Sequence, residues 1–203
     1  MNSKTKLPFD RDKIGRKFKV SGEHTVYLYN QDKVIKFPSG PIYLFSREDA
    51  FKKVSRDFKL VKKYFDKYLP SSKLHFYKNQ EGKKKYCILQ DFISSRPLEK
   101  KDLADPKIAS QFEEITKINL KLEKEKGFSL EFFGIYSLLF HVFLNRMDNV
   151  VIAKDDRLFV TDVGLISKDH KITKSIVLNL IIRWAYWRQQ KLIRGYQNYE
   201  ADN

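Results

Sequence analysis

From Lys17 to Pro38 the chain reads KFKVSGEHTVYLYNQDKVIKFP, alternating polar and apolar positions between turn signals at Ser21-Gly22 and Asn30-Gln31-Asp32. A period of two marks a half-buried strand, and it predicts strands near 17–21, 24–29 and 33–38. The period then changes. In FSREDAFKKVSRDFKLVKKYFDKYLP, Phe51, Val54, Phe58, Val61 and Phe65 recur at helical spacing. Ser46 is the expected N-cap with Asp49 three residues on, and Pro70 ends the helix. Two more strands, KLHFYKN and KKYCILQDFI, are joined through a turn at Glu81-Gly82. The first half therefore reads as three strands, one helix and two strands.

The second half is patterned differently. DPKIASQFEEITKINLKLEKEKG predicts a helix that Asp105 caps, Pro106 opens and Gly127 closes. SLEFFGIYSLLFHVFLN predicts a more apolar, buried helix, and NVVIAKDDRLFVTDVGLI, residues 149–166, predicts two strands around a charged turn. A last helix is expected from about Thr173 to Tyr196. The change from strand-rich to helix-rich chain falls at ISSRPLEKKD, residues 93–102. The expected organisation is α+β, with a basic tail at 1–16, a five-stranded lobe plus one helix at 17–93, and a reduced helical lobe carrying the hairpin at 94–203.

Composition narrows the class. With 203 residues, 42% hydrophobic and 14% aromatic, the chain can bury a core, and wholesale disorder is excluded. The apolar stretch SIVLNLIIRWAYWRQQ is interrupted by Asn179 and Arg183 and is too short to span a bilayer. MNSKTKLPFDRDK lacks the apolar region of a secretory signal. Cys87 is the one cysteine, which rules out an intrachain disulfide; together these features lead us to expect a cytoplasmic protein. A formal charge of +15 favours anionic partners, namely nucleotides, nucleic acid, phosphorylated substrates or a membrane surface. The lysines are spread along helices and turns, as in EGKKKY and KLEKEKG, and no zinc spacing or Arg cluster for base readout accompanies them. Nucleic acid is therefore the less favoured partner.

The order of elements and several motifs resemble the protein kinase-like superfamily over roughly residues 17–166. KVIKFP resembles the third-strand V-A-I-K motif, which makes Lys36 the ammonium for the α- and β-phosphates of ATP. In that family a carboxylate on the following helix pairs with the lysine, and Asp57 is the candidate, with Glu48 as the alternative. CILQDFISSRPL resembles the fifth strand and hinge: Gln90 falls at the gatekeeper position, and the backbone from Asp91 to Ile93 faces adenine. Asp162-Val163-Gly164 resembles D-F-G and Asn149 the catalytic-loop Asn, so the resemblance implies that both hold Mg²⁺ against the phosphates. Gly22 is the one glycine of a reduced phosphate loop. The expected architecture is thus a two-lobed kinase-like fold.

The departures are as informative. Leu144 stands where the family places its catalytic Asp, five residues before the metal-binding Asn, and no H-R-D is present. Asp148 and His141 are the nearest groups able to take a proton. Only 41 residues follow Asp162, without an A-P-E motif, so a conventional regulated protein kinase is not the expected reading. Two readings follow: a minimal atypical phosphotransferase passing the γ-phosphate of ATP to a protein or small-molecule acceptor, or a pseudokinase that binds nucleotide or serves as a scaffold. In a third, Trp184, Tyr186 and Trp187 beside Arg183 and Arg188 make the last helix a nucleic-acid or membrane contact.

Overall fold

The alternating first half produces strands. In the computed structural model, which describes residues 7–20, 24–39, 47–133, 146–167 and 176–199, β1 (Ile14–Val20), β2 (His24–Tyr29), β3 (Lys33–Pro38), β4 (Ser72–Lys78) and β5 (Lys84–Asp91) form one antiparallel sheet ordered β1-β2-β3-β5-β4. Helix α1 (Arg47–Phe65) stands between β3 and β4 in the chain, so the expected order of three strands, helix and two strands is observed. The β2–β3 hairpin turns at Asn30, whose φ of 56° lies in the left-handed region that Asn tolerates. Between β4 and β5, Asn79 Oδ1 accepts the Glu81 and Lys83 amides at 3.1 and 2.8 Å, and Gly82 takes φ 70°.

The chain divides into two compact units, residues 1–52 with 70–92 and residues 53–69 with 93–203. The cut passes through α1. In the first unit Tyr29, Ile35 and Cys87 form a core cluster, and burial pushes the Cys87 thiol up to about 12. Phe51 at the start of α1 meets the rings of Phe76 and Tyr86 edge-on at 5.9 and 6.1 Å. Part of the expected basic tail at 1–16 is ordered structure. Phe9 packs edge-on against Phe37 and Tyr77 at 5.3 and 5.4 Å, Asp10 caps a 3-10 turn at Arg11–Lys13, and β1 begins at Ile14. A half-buried aromatic outweighs the charges around it.

In the second unit, β6 (Ser95–Glu99) leads through a 3-10 turn at Lys100–Ala104 into α2 (Pro106–Lys126). The division therefore falls after Phe92, and the expected boundary segment 93–102 is mostly regular structure. Asp105 accepts the Lys107 and Ile108 amides, Pro106 opens α2, and Gly127 closes it at φ 72° with its N–H on the Glu123 carbonyl, as the capping signals predict. The apolar stripe of α2 buries Ile108, Phe112, Ile115 and Leu122. The helix expected to begin at Ser129 does not: Ser129–Leu130 is a short strand, β7, and Phe132 and Phe133 are fully buried beyond it. The rest of that segment, 134–145, lies outside the described residues. The hairpin forms as β8 (Arg146–Ala153) and β9 (Leu158–Val160), with β6 on the other side of β8. β10 (Leu165–Ile166) pairs with β7, and α3 (Ile176–Gln197) is the last helix.

Because Gly127 holds a left-handed conformation, Gly127→Ala is expected to lower the unfolding free energy by about 1 kcal/mol. Urea denaturation of the two proteins measures it, and equal midpoints would show that the α2 terminus relaxes without cost.

Candidate functional site

Lys36 stands on β3 of the first unit, opposite Val26 on β2 and Ile88 on β5, and is 8% exposed. An ammonium at that depth stays charged only among polar or anionic groups. Gln90, also buried, serves the sheet: its Nε2 donates to Ser72 Oγ at 3.0 Å, and that hydroxyl donates to the Pro70 carbonyl at 2.5 Å. Asp91 holds Lys33 Nζ at 2.8 Å. The Asp91 and Phe92 amides donate to the Ser71 and Asp32 carbonyls at 2.9 and 2.8 Å. Two of the amides expected to face adenine, those of Asp91 and Phe92, are thus committed to the fold. The Ile93 carbonyl accepts Ser95 Oγ at 3.1 Å.

Asp57 belongs to the second unit and is 2% exposed. Lys53, one turn earlier, donates to it at 2.8 Å, and Arg56 adds two hydrogen bonds at 2.8 and 2.6 Å. The Arg56 guanidinium lies over the Phe128 ring at 4.3 Å. The pairing with Lys53 follows from helical spacing, but at this burial the carboxylate needs its partners for more than solubility.

Within the second unit, three residues, Leu130 to Phe132, organise the surroundings of Asn149. Every backbone donor and acceptor they carry is matched. The Leu130 amide donates to Asn119 Oδ1 at 2.7 Å, and the Leu130 carbonyl accepts Gln189 Nε2 at 2.7 Å. Gln189 Oε1 accepts the Phe132 amide at 2.7 Å. The side-chain amide of Gln189, on α3, thus offers the segment the donor and acceptor that a neighbouring strand would supply. On the other side, the Glu131 amide donates to the Gly164 carbonyl at 3.0 Å, while the Phe132 carbonyl accepts the Asn149 amide at 3.1 Å. The remaining acceptor, the Glu131 carbonyl, takes Asn149 Nδ2 at 2.7 Å.

That last bond fixes the orientation of Asn149. A carbonyl accepts only a donor, so the NH₂ of Asn149 must face Glu131, and Oδ1 points the other way with no donor among the described residues. The backbone around it is irregular. Along β6 the partners step from Pro97 to Leu98, whereas along β8 they step from Val151 to Met147. Asp148, Asn149 and Val150 consequently have no partner on β6, a bulge of the kind that re-aims side chains. On the other edge, Val150 pairs with Val160 and the Asn149 carbonyl accepts the Thr161 amide at 2.9 Å. Asn149 is therefore opposite the residue before Asp162. Asp162 Oδ1 accepts the Val163 amide at 2.8 Å, which orients its carboxylate.

An amide oxygen on β8 and a carboxylate two residues after β9 are both hard donors, the kind of oxygen Mg²⁺ takes beside phosphate and water. Asp148 is engaged by Arg146, two residues before it on β8, at 3.6 Å. Gly22, His141 and Leu144 lie outside the described residues. Sequence reasoning missed Asn119, Glu131 and Gln189. The first and last had a signal: each falls in the apolar register of its helix, Asn119 between Ile115 and Leu122 and Gln189 between Ala185 and Ile193.

No protein-family model and no curated protein matches the chain. Among solved structures it is similar to the Legionella pneumophila Lpg2603 kinase bound to IP6, at 15% sequence identity and a TM-score of 0.49. The similarity covers 90% of this chain and 57% of that one, so the chain spans less than two thirds of the length of the protein it matches. The chemistry of the site accordingly rests on its own residues.

Gln189→Met keeps the side-chain volume and removes both hydrogen bonds, leaving the Leu130 carbonyl and the Phe132 amide buried and unmatched. It is expected to lower stability by roughly 2–4 kcal/mol in urea unfolding, at about 1–3 kcal/mol per stranded group. A loss under about 0.5 kcal/mol, the range of an ordinary surface substitution, would show that the clamp does not hold the segment.

Proposed function

We propose that the chain is a kinase-like protein that binds ATP with Mg²⁺ and acts as a minimal atypical phosphotransferase. Lys36 supplies the cation for the α- and β-phosphates, and Asn149 and Asp162 supply oxygen ligands for the metal. The observation that carries this reading is the pinned amide of Asn149, on a bulge next to β9, the strand that ends two residues before Asp162. The bound metal would neutralise charge on the phosphates. Phosphoryl transfer depends chiefly on positioning and charge stabilisation, so the reaction tolerates a poor base better than most.

One observation favours the second reading, a pseudokinase that keeps nucleotide binding without transfer. Asp148, the carboxylate next to the metal-ligand candidate, is already held by Arg146, and the residue in the family's base position is Leu144.

Both readings require nucleotide binding, and a thermal-shift titration with ATP and Mg²⁺ measures it. At a hundredfold excess over the dissociation constant, the melting temperature is expected to rise by roughly 5–10 °C. Lys36→Met and Asp162→Asn should abolish the rise, and no rise in the unmodified protein at any concentration sinks both readings. If ATP binds, transfer of labelled γ-phosphate to protein and small-molecule pools separates the enzyme from the pseudokinase.

A further inference from the structure

The last helix is divided between two jobs. Ile182, Ala185, Tyr186, Gln189, Ile193 and Tyr196 face inward, and Tyr186 donates its hydroxyl to Glu123. The two indoles of the expected aromatic cluster do not share that fate: Trp184 is 42% exposed and Trp187 54%. Ile176, Val177 and Leu180 precede them on the same face, exposed by 77, 65 and 60%. Eight large hydrophobic side chains stand exposed among the described residues, and five of them lie in these first turns of α3. Scattered apolar residues need no explanation, but a continuous stripe about 16 Å long does.

Charge says what covers it. The 22 residues of α3 contain no carboxylate. Arg183 and Arg188 flank the stripe, the guanidinium of Arg188 lying over the Trp184 ring at 5.3 Å, and exposed Lys191 and Arg194 continue the same side of the helix. A second copy of the chain is a poor occupant, because it would bring four like charges on each helix together in a protein of net charge +15. We infer that this face of α3 docks on an anionic lipid bilayer, with the aliphatic side chains and both indoles at the headgroup boundary and the flanking cations on lipid phosphates. Indoles beside basic residues on one face of an amphipathic helix are suited to that boundary. This inference does not rest on nucleotide binding.

The test is direct because Trp184 and Trp187 are the two tryptophans of the chain, so intrinsic emission reports this face alone. The full chain is titrated with phosphatidylcholine vesicles and with vesicles that also contain phosphatidylglycerol. A blue shift and co-sedimentation are expected with the anionic vesicles, falling as salt is raised. Leu180→Asp and Arg183→Glu alter exposed side chains, and each is expected to weaken binding by on the order of tenfold. Leu120→Asp, at an isolated exposed apolar residue on α2, should leave it unchanged. Unchanged melting temperatures verify that the variants fold. The inference is overturned if anionic vesicles produce neither shift nor sedimentation, or if Leu180→Asp and Arg183→Glu bind as the unmodified protein does. It is equally overturned if the chain is a dimer in solution that Leu180→Asp dissociates, because the stripe is then covered by a second copy.

Discussion

The second unit depends on how one short stretch of extended backbone is satisfied. Leu130 to Phe132 carry six main-chain polar groups away from solvent, and leaving any of them unmatched would cost about 1–3 kcal/mol. The chain solves this without a wide sheet. Asn119 and Gln189 reach out of two helices to take three of the groups, and Asn149 and Gly164 take the other three. The same bonds that satisfy the segment join α2 and α3 to the bulge of β8 and to the residues after Asp162. A structural necessity thereby becomes a positioning device: Asn149 cannot shift without stranding the Glu131 or Phe132 carbonyl.

This coupling reaches the two neighbouring polar residues of β8 differently. Asn149 is held by the Glu131 and Phe132 carbonyls, which fixes the direction of its Oδ1. Asp148 is drawn to Arg146 instead. Asp148 and Asn149 are consecutive on a strand, so their side chains leave it on opposite sides unless the bulge turns one of them. The hydrogen bonds on this bulge orient Asn149 rather than Asp148.

How much of this was legible in the sequence follows from which forces act locally. Strands β2 and β3 were readable to the residue because alternation and turn residues are local signals, as were the Asp105 cap and the Gly127 terminus of α2. The start of the apolar run at Ser129 was not. SLEFF is buried on all sides, so its composition carries no period, and its extended form is decided by Asn119, ten residues earlier, and by Gln189, about sixty later. The tail was misjudged for the opposite reason: its charges are conspicuous, while Phe9 finds its partners on β3 and β4. Lys36, Asn149 and Asp162 were found as residue types in order. What orients Asn149 came from a backbone carbonyl that no sequence pattern displays.

Net charge gave the weakest guidance until it was located. The chain has 40 basic and 25 acidic residues, and many of the acids are spent internally. Glu114 is held below the usual carboxylate range chiefly by its hydrogen bond from Lys67, and Asp155 by that from Arg157. Burial pushes Asp102 up, but the Arg96 hydrogen bond and ion pair outweigh it and the net shift is downward. A carboxylate depressed in this way supports the fold above its ordinary titration range, and that support is lost as acid protonates it. Near neutral pH these acids are ionised and engaged, so they neutralise the cations beside them and leave others uncompensated. A net charge of +15 does not say where the surplus lies. A helix with four cations, two exposed indoles and no carboxylate does, because nothing on its own length can neutralise it.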